Sequence, residues 1–325
     1  MSSNPETLYC GILDGRGGAQ ATDLDAVGRW SADQEGMLWV HIDVGDPSSR
    51  EWLTSSGVAD DTIIDALLAD ETRPRSLVSD EGMLVVLRGV NNNPGEDPED
   101  MVSIRLWIEQ NRIISTRLRK LLSVADLRAS LDTGKGPRSP GEFLLRLIEG
   151  LADRIGIFVD SIEERMSEAE ELLVNRDVRL SRSTLSTLRR QIAGVRRFLA
   201  PQRDALDRLY RHAGDWLSND EVSLLREESD RITRHLEDLG LARERAVVLQ
   251  EEILGQLAQE QNTRMYVLSV VAAIFLPLSF LTGLLGMNVG GLPGVENPQG
   301  FLWSAGVMVA SGIGLVLFFR WKKWI

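Results

Sequence analysis

Met265 to Met287 reads MYVLSVVAAIFLPLSFLTGLLGM, and Phe301 to Phe319 reads FLWSAGVMVASGIGLVLFF. Apart from Tyr266, neither stretch carries an ionisable side chain. Each has about the 20 residues that a helix needs to cross some 30 Å of hydrocarbon. Both lie at the C-terminal end of the chain, so neither reads as a signal peptide. A buried hairpin in a soluble core is the competing reading, but two uncharged stretches of this length are rare in such cores. The fold is therefore read outward from two membrane helices.

Their flanks set an orientation. Arg264 precedes the first span and Arg320-Trp321-Lys322-Lys323-Trp324 follows the second, whereas the loop between them, Asn288 to Gly300, has no Lys or Arg. The positive-inside rule then puts both termini in the cytoplasm. Trp303, Trp321 and Trp324 stand where aromatic anchors at the interface are expected.

The other residues are of a different kind. The chain has 325 residues with 36 basic and 48 acidic side chains, a net charge of −12. From Met265 onward the only formal charges are Glu296, Arg320, Lys322 and Lys323, so the acidity belongs to the part before the spans. Such a surface argues against nucleic acid as a partner and suits a solvated, cation-concentrating face. Cys10 is the only cysteine, which leaves no disulfide and no paired-thiol metal site.

Residues 1–139 alternate strand and helix patterns. Thr7–Leu13, Met37–Val44, Met83–Val90, Val102–Glu109 and Arg112–Arg117 read as strands, the last two joined by a turn at Gln110-Asn111. Ser48–Ser56 and Asp60–Ala69 have helical periodicity, giving an α/β domain with a mixed sheet. Residues 140–264 carry helix patterning throughout. One helix opens at Pro140-Gly141-Glu142 and runs to about Val174, and a second runs from Ser181 to His212 with Pro201 inside it. A third starts at Asn219-Asp220-Glu221 and continues through the first span, roughly 100 Å at 1.5 Å per residue. Such a helix needs neighbours to be stable. Leu236, Leu239, Val247, Leu254 and Leu257 are spaced for one buried stripe on it.

No catalytic constellation stands out. His41, His212 and His235 are scattered, and no HxxxH, GxSxG or phosphate-binding glycine loop precedes a helix. Asp14-Gly15-Arg16-Gly17-Gly18 reads as a turn. The first span is more informative. Met265, Ser269, Ala272, Leu276, Ser279 and Gly283 form a mostly small or hydroxylated stripe, and Val267, Val270, Val271, Ile274, Leu278, Leu281 and Leu285 make the other side bulky. The stripe suits close helix packing or water. Pro277 removes the amide that would bond the carbonyl of Ala273, which predicts a kink at membrane depth. Gly306, Ala310 and Gly314 predict a small-residue seam packing the second span against the first. One two-pass chain cannot enclose a pore, so transport through the stripe requires several copies around an axis.

Pro277-Leu278-Ser279-Phe280-Leu281-Thr282-Gly283, then Gly286-Met287-Asn288, then a charge-poor second span ending in Lys322-Lys323-Trp324-Ile325, resembles the CorA superfamily of divalent metal-ion transporters. The loop Val289-Gly290-Gly291-Leu292-Pro293-Gly294 resembles its ZntB-like zinc-transporter branch, whereas the magnesium branch typically places Met-Pro-Glu-Leu there. The resemblance implies an α+β membrane protein of the bacterial inner membrane. Its N-terminal α/β cytoplasmic domain (1–139) leads to a helical stalk (140–264) and a pore-lining transmembrane helix (265–287). A periplasmic loop (288–300), a second transmembrane helix (301–319) and a cytoplasmic tail (320–325) follow, in a funnel-shaped homopentamer. It further implies an ion entrance at Gly286, Met287 and Asn288 and a pore path along Gly283, Ser279, Leu276, Ala272, Leu268, Met265 and Asn262. Leu268 and Met265 would be an apolar gate.

The expected cargo is zinc, with cadmium, nickel, cobalt and magnesium as further candidates, and no permanently bound cofactor. Stripping a small divalent ion calls for anionic or imidazole ligands. The spans contain no His, Cys, Asp or Glu, so passage of a hydrated ion is expected. The branch also implies proton-coupled uptake, although neither span offers a titratable residue to carry a proton. Two alternatives remain: a magnesium or cobalt channel of the same architecture, and a membrane-anchored coiled-coil scaffold whose spans only tether it.

Overall fold

The computed structural model describes residues 8–31, 34–175, 178–214, 216–287 and 298–322, with Asp25 and residues 178–181 described by their backbone alone. Asn288, the loop 289–297 with Glu296, and Lys323, Trp324 and Ile325 lie outside the described residues. The chain divides into two compact units, Met1–Gln250 and Glu251–Ile325.

The first unit is built on a seven-stranded sheet. Its strands are β1 (Leu8–Leu13), β2 (Ala19–Ala21), β3 (Met37–Asp43), β4 (Arg75–Val78), β5 (Met83–Gly89), β6 (Val102–Ile108) and β7 (Arg112–Arg117), in the order β2-β1-β3-β7-β6-β5-β4. Among the described residues only β3 and β7 pair in parallel, so the sheet is mixed as expected. Central strands buried on both faces read as continuous apolar runs rather than alternating ones. Leu38, Trp39, Val40 and Ile42 of β3 accordingly have almost no exposed surface. The β6–β7 turn closes where Glu109 N donates to Arg112 O at 2.8 Å.

Four further elements of this unit are short: α1 (Leu24–Arg29), α2 (Pro47–Ser55), α3 (Asp61–Leu68) and α4 (Leu122–Asp132). α3 is tied to the sheet where Thr116 Oγ1 donates to Leu67 O at 2.7 Å. The elements β2, β4, α1 and α4 escape a reading by periodicity because each is brief or held by neighbours. β4, for example, is an edge strand whose Ser76 hydroxyl donates to Ala205 O at 2.7 Å.

Two long helices follow, α5 (Pro140–Val174) and α6 (Val178–His212). Ser139 caps α5 by accepting from Glu142 N at 2.9 Å, and Glu142 reaches back to Arg138 N at 2.8 Å. Phe143 then meets Trp39 edge-on, with ring centroids 5.0 Å apart. α6 passes through Pro201 as the sequence predicts, and its Gln202 side chain accepts from Arg88 N at 2.7 Å.

The longest helix, α7, spans Asn219–Leu285. Its expected buried stripe needs correction: Leu236 and Leu239 are buried, but Val247 and Leu254 are exposed and Leu257 only half-buried. The buried set is Leu225, Ile232, Leu239, Ala246 and Ile253, seven residues apart at each step, accompanied by Leu236, Ala242 and Leu249. A seven-residue repeat drifts about 20° per heptad from a straight 3.6-residue wheel. Over four heptads that drift moves Val247 and Leu254 off the buried side, and the alanines that carry the stripe are invisible to a search for large apolar residues.

In the second unit the end of α7 is accompanied by α8 (Gly300–Trp321). Both helices are long and apolar enough to cross a membrane. α7 continues through Pro277 without interruption. Its half-buried positions are Val270, Ala273, Ile274, Pro277, Leu278 and Leu281; those of α8 include Ser304, Ala305, Met308, Ser311, Gly312 and Leu315. Leu278 Cδ1 lies 3.8 Å from the position of a β-carbon on Gly312. The expected seam is therefore corrected: Gly306, Ala310 and Gly314 are exposed and do not face α7. Four-residue spacing put those three on one stripe, but the bulky side of α7 seats on the other side of α8.

Candidate functional site

α7 presents two faces in the second unit. Of the bulky side, Val270, Ile274, Leu278 and Leu281 are half-buried, Leu278 against Gly312 of α8, whereas Val267, Val271 and Leu285 are exposed. Asn262, Met265, Leu268, Ser269, Ala272, Leu276, Ser279 and Gly283 are all exposed. Met265 is 66% exposed, Leu268 70% and Leu276 74%. Methionine and leucine side chains this bare on one chain suit lipid, another copy or an enclosed path rather than bulk water, and Phe275 and Phe280 off the stripe are as bare, at 63% and 68%. The structure thus brings every described residue of the expected path onto exposed helix surface, and leaves Pro277 on the half-buried side.

The helix ends at the tripeptide. Gly286 N donates to Thr282 O at 2.9 Å, and the Thr282 hydroxyl turns back onto its own helix, donating to Ser279 O at 2.8 Å. Back-bonding of this kind satisfies a hydroxyl in an apolar setting. Met287 is 48% exposed just beyond the last helical residue. Asn288, the expected centre of the entrance, falls outside the described residues.

Chemically, the stripe offers hydroxyls, an amide at Asn262, backbone and apolar surface. Between Met265 and Met287 there is no carboxylate, imidazole or thiol that could replace a metal ion's water shell. Among the described residues of the whole chain no three His, Cys, Asp or Glu side chains are close enough together to hold a metal ion.

Other candidates for chemistry are accounted for by packing. His41 Nδ1 shares a 2.8 Å hydrogen bond with Ser115 Oγ, which also accepts from Trp39 Nε1 at 2.8 Å. Burial pushes His41 down to about 3, so the ring is neutral. Asp14 is held below the ordinary carboxylate range by backbone amides: it accepts from Arg16 N at 2.7 Å and Gly18 N at 2.9 Å. That is the turn read from the sequence, and the amides of Arg16 and Gly18 are bonded to its own Asp14.

Comparison with known proteins bears on the same elements. Residues 34–323 match the family model described as CorA-like Mg2+ transporter protein. The divalent cation transporter CmaX of Pseudomonas aeruginosa is 43% identical over 317 residues, 97% of this chain and 94% of that protein. The zinc transport protein ZntB of Yersinia enterocolitica is 33% identical over 320 residues, 98% of this chain and 96% of that one. A structure of full-length CmaX superposes with a TM-score of 0.83 at 39% identity, covering 100% of both chains.

Proposed function

The chain belongs to the CorA-like family of Mg2+ transporter proteins, and on that premise we propose that it carries hydrated divalent cations across a membrane as a homo-oligomer, with zinc as its principal cargo. Family membership makes it a transporter rather than an enzyme. The observation that carries the mechanism is the exposed stripe from Asn262 to Gly283, which has no group able to strip a hydrated ion. Several copies, five in the family pattern, would place their stripes around an axis and bury the leucine and methionine surface that one chain leaves bare. Neutral hydroxyls, amides and carbonyls then hold the water shell instead of replacing it. Where Met265 and Leu268 narrow the path, an apolar ring closes it by excluding water.

In this reading the two spans pass through the inner membrane, with N- and C-termini in the cytoplasm and the Gly286-Met287-Asn288 entrance on the far side. Zinc is favoured by the loop after Asn288 and by the ZntB relative. Magnesium and cobalt remain the alternative, because a stripe of neutral groups discriminates poorly between hydrated ions of one charge and because CmaX is named for divalent cations in general. Uptake coupled to protons would have to use carboxylates or histidines outside the spans, since neither span has a titratable side chain apart from Tyr266.

Flux into proteoliposomes, measured with zinc, cadmium, nickel, cobalt and magnesium in competition, tests the reading. Asn288→Ala should lose flux while remaining folded and oligomeric; unchanged flux would remove the entrance from the proposal. Flux indifferent to an imposed pH gradient would remove proton coupling. A protein that moves none of these ions is better described as a tethered scaffold.

A further inference from the structure

Within the first unit, one side chain on α7 is buried in a way that its packing does not satisfy. His235 lies against Gly156 of α5: a β-carbon on Gly156 would stand 3.2 Å from His235 Cε1 and 3.4 Å from Nε2. Nε2 is buried and has no hydrogen-bond partner. Buried polar atoms are normally paired, and one left open calls for an explanation. Gly156 supplies half of it, because a β-carbon there would be tighter than ordinary contact and the imidazole would have to shift by a few tenths of an ångström to admit it. The glycine is a seat for this ring.

The charges around the ring are mixed. α7 contributes Arg231, Arg234 and Asp238, and α5 contributes Asp160. Arg231 is itself held by Asp153 of α5 at 2.5 Å and by Glu228 at 3.0 Å. On the α6 side, Arg196 donates to Leu236 O at 2.6 Å, one residue along from the histidine. No carboxylate in this set reaches Nε2.

We propose that His235 and Gly156 form an acid-sensitive latch between α5 and α7. With a neutral imidazole the helices close over Nε2. A proton added there creates an N–H⁺ that finds no acceptor and has lost its water, so the charged ring is expelled from its seat and α7 separates locally from α5. The sign agrees with the direction of the histidine's titration, which burial and then Arg231 push below the ordinary value. The unfolded or opened state binds the proton more readily. Latch stability is therefore complete above a pH of about 6.5 and falls as the pH drops below it. The latch is a property of packing in the unit that ends at Gln250, and it stands whichever ion is carried. Its interest is that the helix it holds is the one that also bears residues 265–285.

The test uses the full chain in lipid nanodiscs. With only three histidines in the sequence, ring-labelled His235 can be identified by the signal missing from His235→Gln. It should titrate below the ordinary histidine range. Hydrogen exchange, corrected for intrinsic rates, should be severalfold faster near pH 5.5 than near pH 7.5 in peptides covering 150–160 and 230–240, because the opened state takes up the proton more readily than the closed one. His235→Gln should abolish that dependence, and Gly156→Ala should give fast exchange at both pH values. An acid response that persists in His235→Gln overturns the latch, as does a His235 that titrates normally with no change in exchange.

Discussion

Leu278 of α7 rests on Gly312 of α8, its Cδ1 3.8 Å from where a β-carbon on the glycine would lie. This contact fixes the rotation of α7 against its neighbour, and so decides which side chains are left for anything else. A methyl group would sit there at ordinary van der Waals distance. Gly312→Ala should be within about 0.5 kcal/mol of the natural protein, as for a tolerated surface change. Gly312→Phe overpacks the contact and should cost about 1–3 kcal/mol. Thermal unfolding in detergent, followed by size exclusion, measures both; a Phe variant as stable as the parent would mean that the helices do not meet there.

The same rotation predicts a pattern of chemical accessibility. Cys10 is buried, its Sγ 3.7 Å from Asp23 O, and burial pushes the thiol up to about 12. A thiol so far from its thiolate is inert. The natural protein should therefore show no reactive thiol when folded and one when denatured, so new cysteines can be read without removing it. Ala272→Cys, Ser279→Cys and Gly283→Cys should react with a charged, water-soluble methanethiosulfonate and lose ion flux on labelling. Ile274→Cys and Leu278→Cys should stay unlabelled. The opposite pattern would turn the path to the wrong side of the helix.

Gly17 tests the turn between β1 and β2. Its φ is +108°, and a β-carbon on it would stand 2.5 Å from Gly134 O. Both conformation and space exclude a side chain, so Gly17→Ala should lose about 1–3 kcal/mol. Gly95 is the control: its φ is +81° but nothing lies within 4 Å. Gly95→Ala then pays only the left-handed backbone term, about 1–2 kcal/mol. Equal losses in urea titration would show that the contact with Gly134 O contributes nothing.

The elements that carry the proposed function were legible in the sequence because each is long and uniformly patterned. The start of α5 follows from Pro140-Gly141-Glu142 and its end from the loss of helix patterning at about Val174. The two apolar spans need only a count of charges. What escaped was decided by partners. β4 is a strand because β5 pairs with it, and Ser76 faces Ala205, 129 residues away in sequence. The choice between two stripes on α8 likewise depends on which one Leu278 meets, and no periodicity in either helix states it. For the path itself, sequence could name the exposed face of α7 but not what surrounds it, since that is a matter of other copies.

The heptad on α7 leads to the last prediction. Leu225, Ile232, Leu239 and Ala246 are turned inward, and two residues after Leu239 and Ala246 come Leu241 and Val248, which are 61% and 64% exposed. They are seven residues apart and share a face, about 200° around the helix from the buried stripe. Exposed branched residues repeating at this interval are the pattern of a second helix seam. In the homo-oligomer proposed above, that seam is covered by another copy. A charge at either position faces water in the single chain but is buried in the assembly, where it lacks a partner. Leu241→Asp and Val248→Asp, and above all the double variant, should therefore shift the protein to smaller species in light scattering while its circular dichroism is unchanged. Loss of helix signal would mean that these side chains support the chain's own fold, and an intact assembly would place the subunit contact elsewhere.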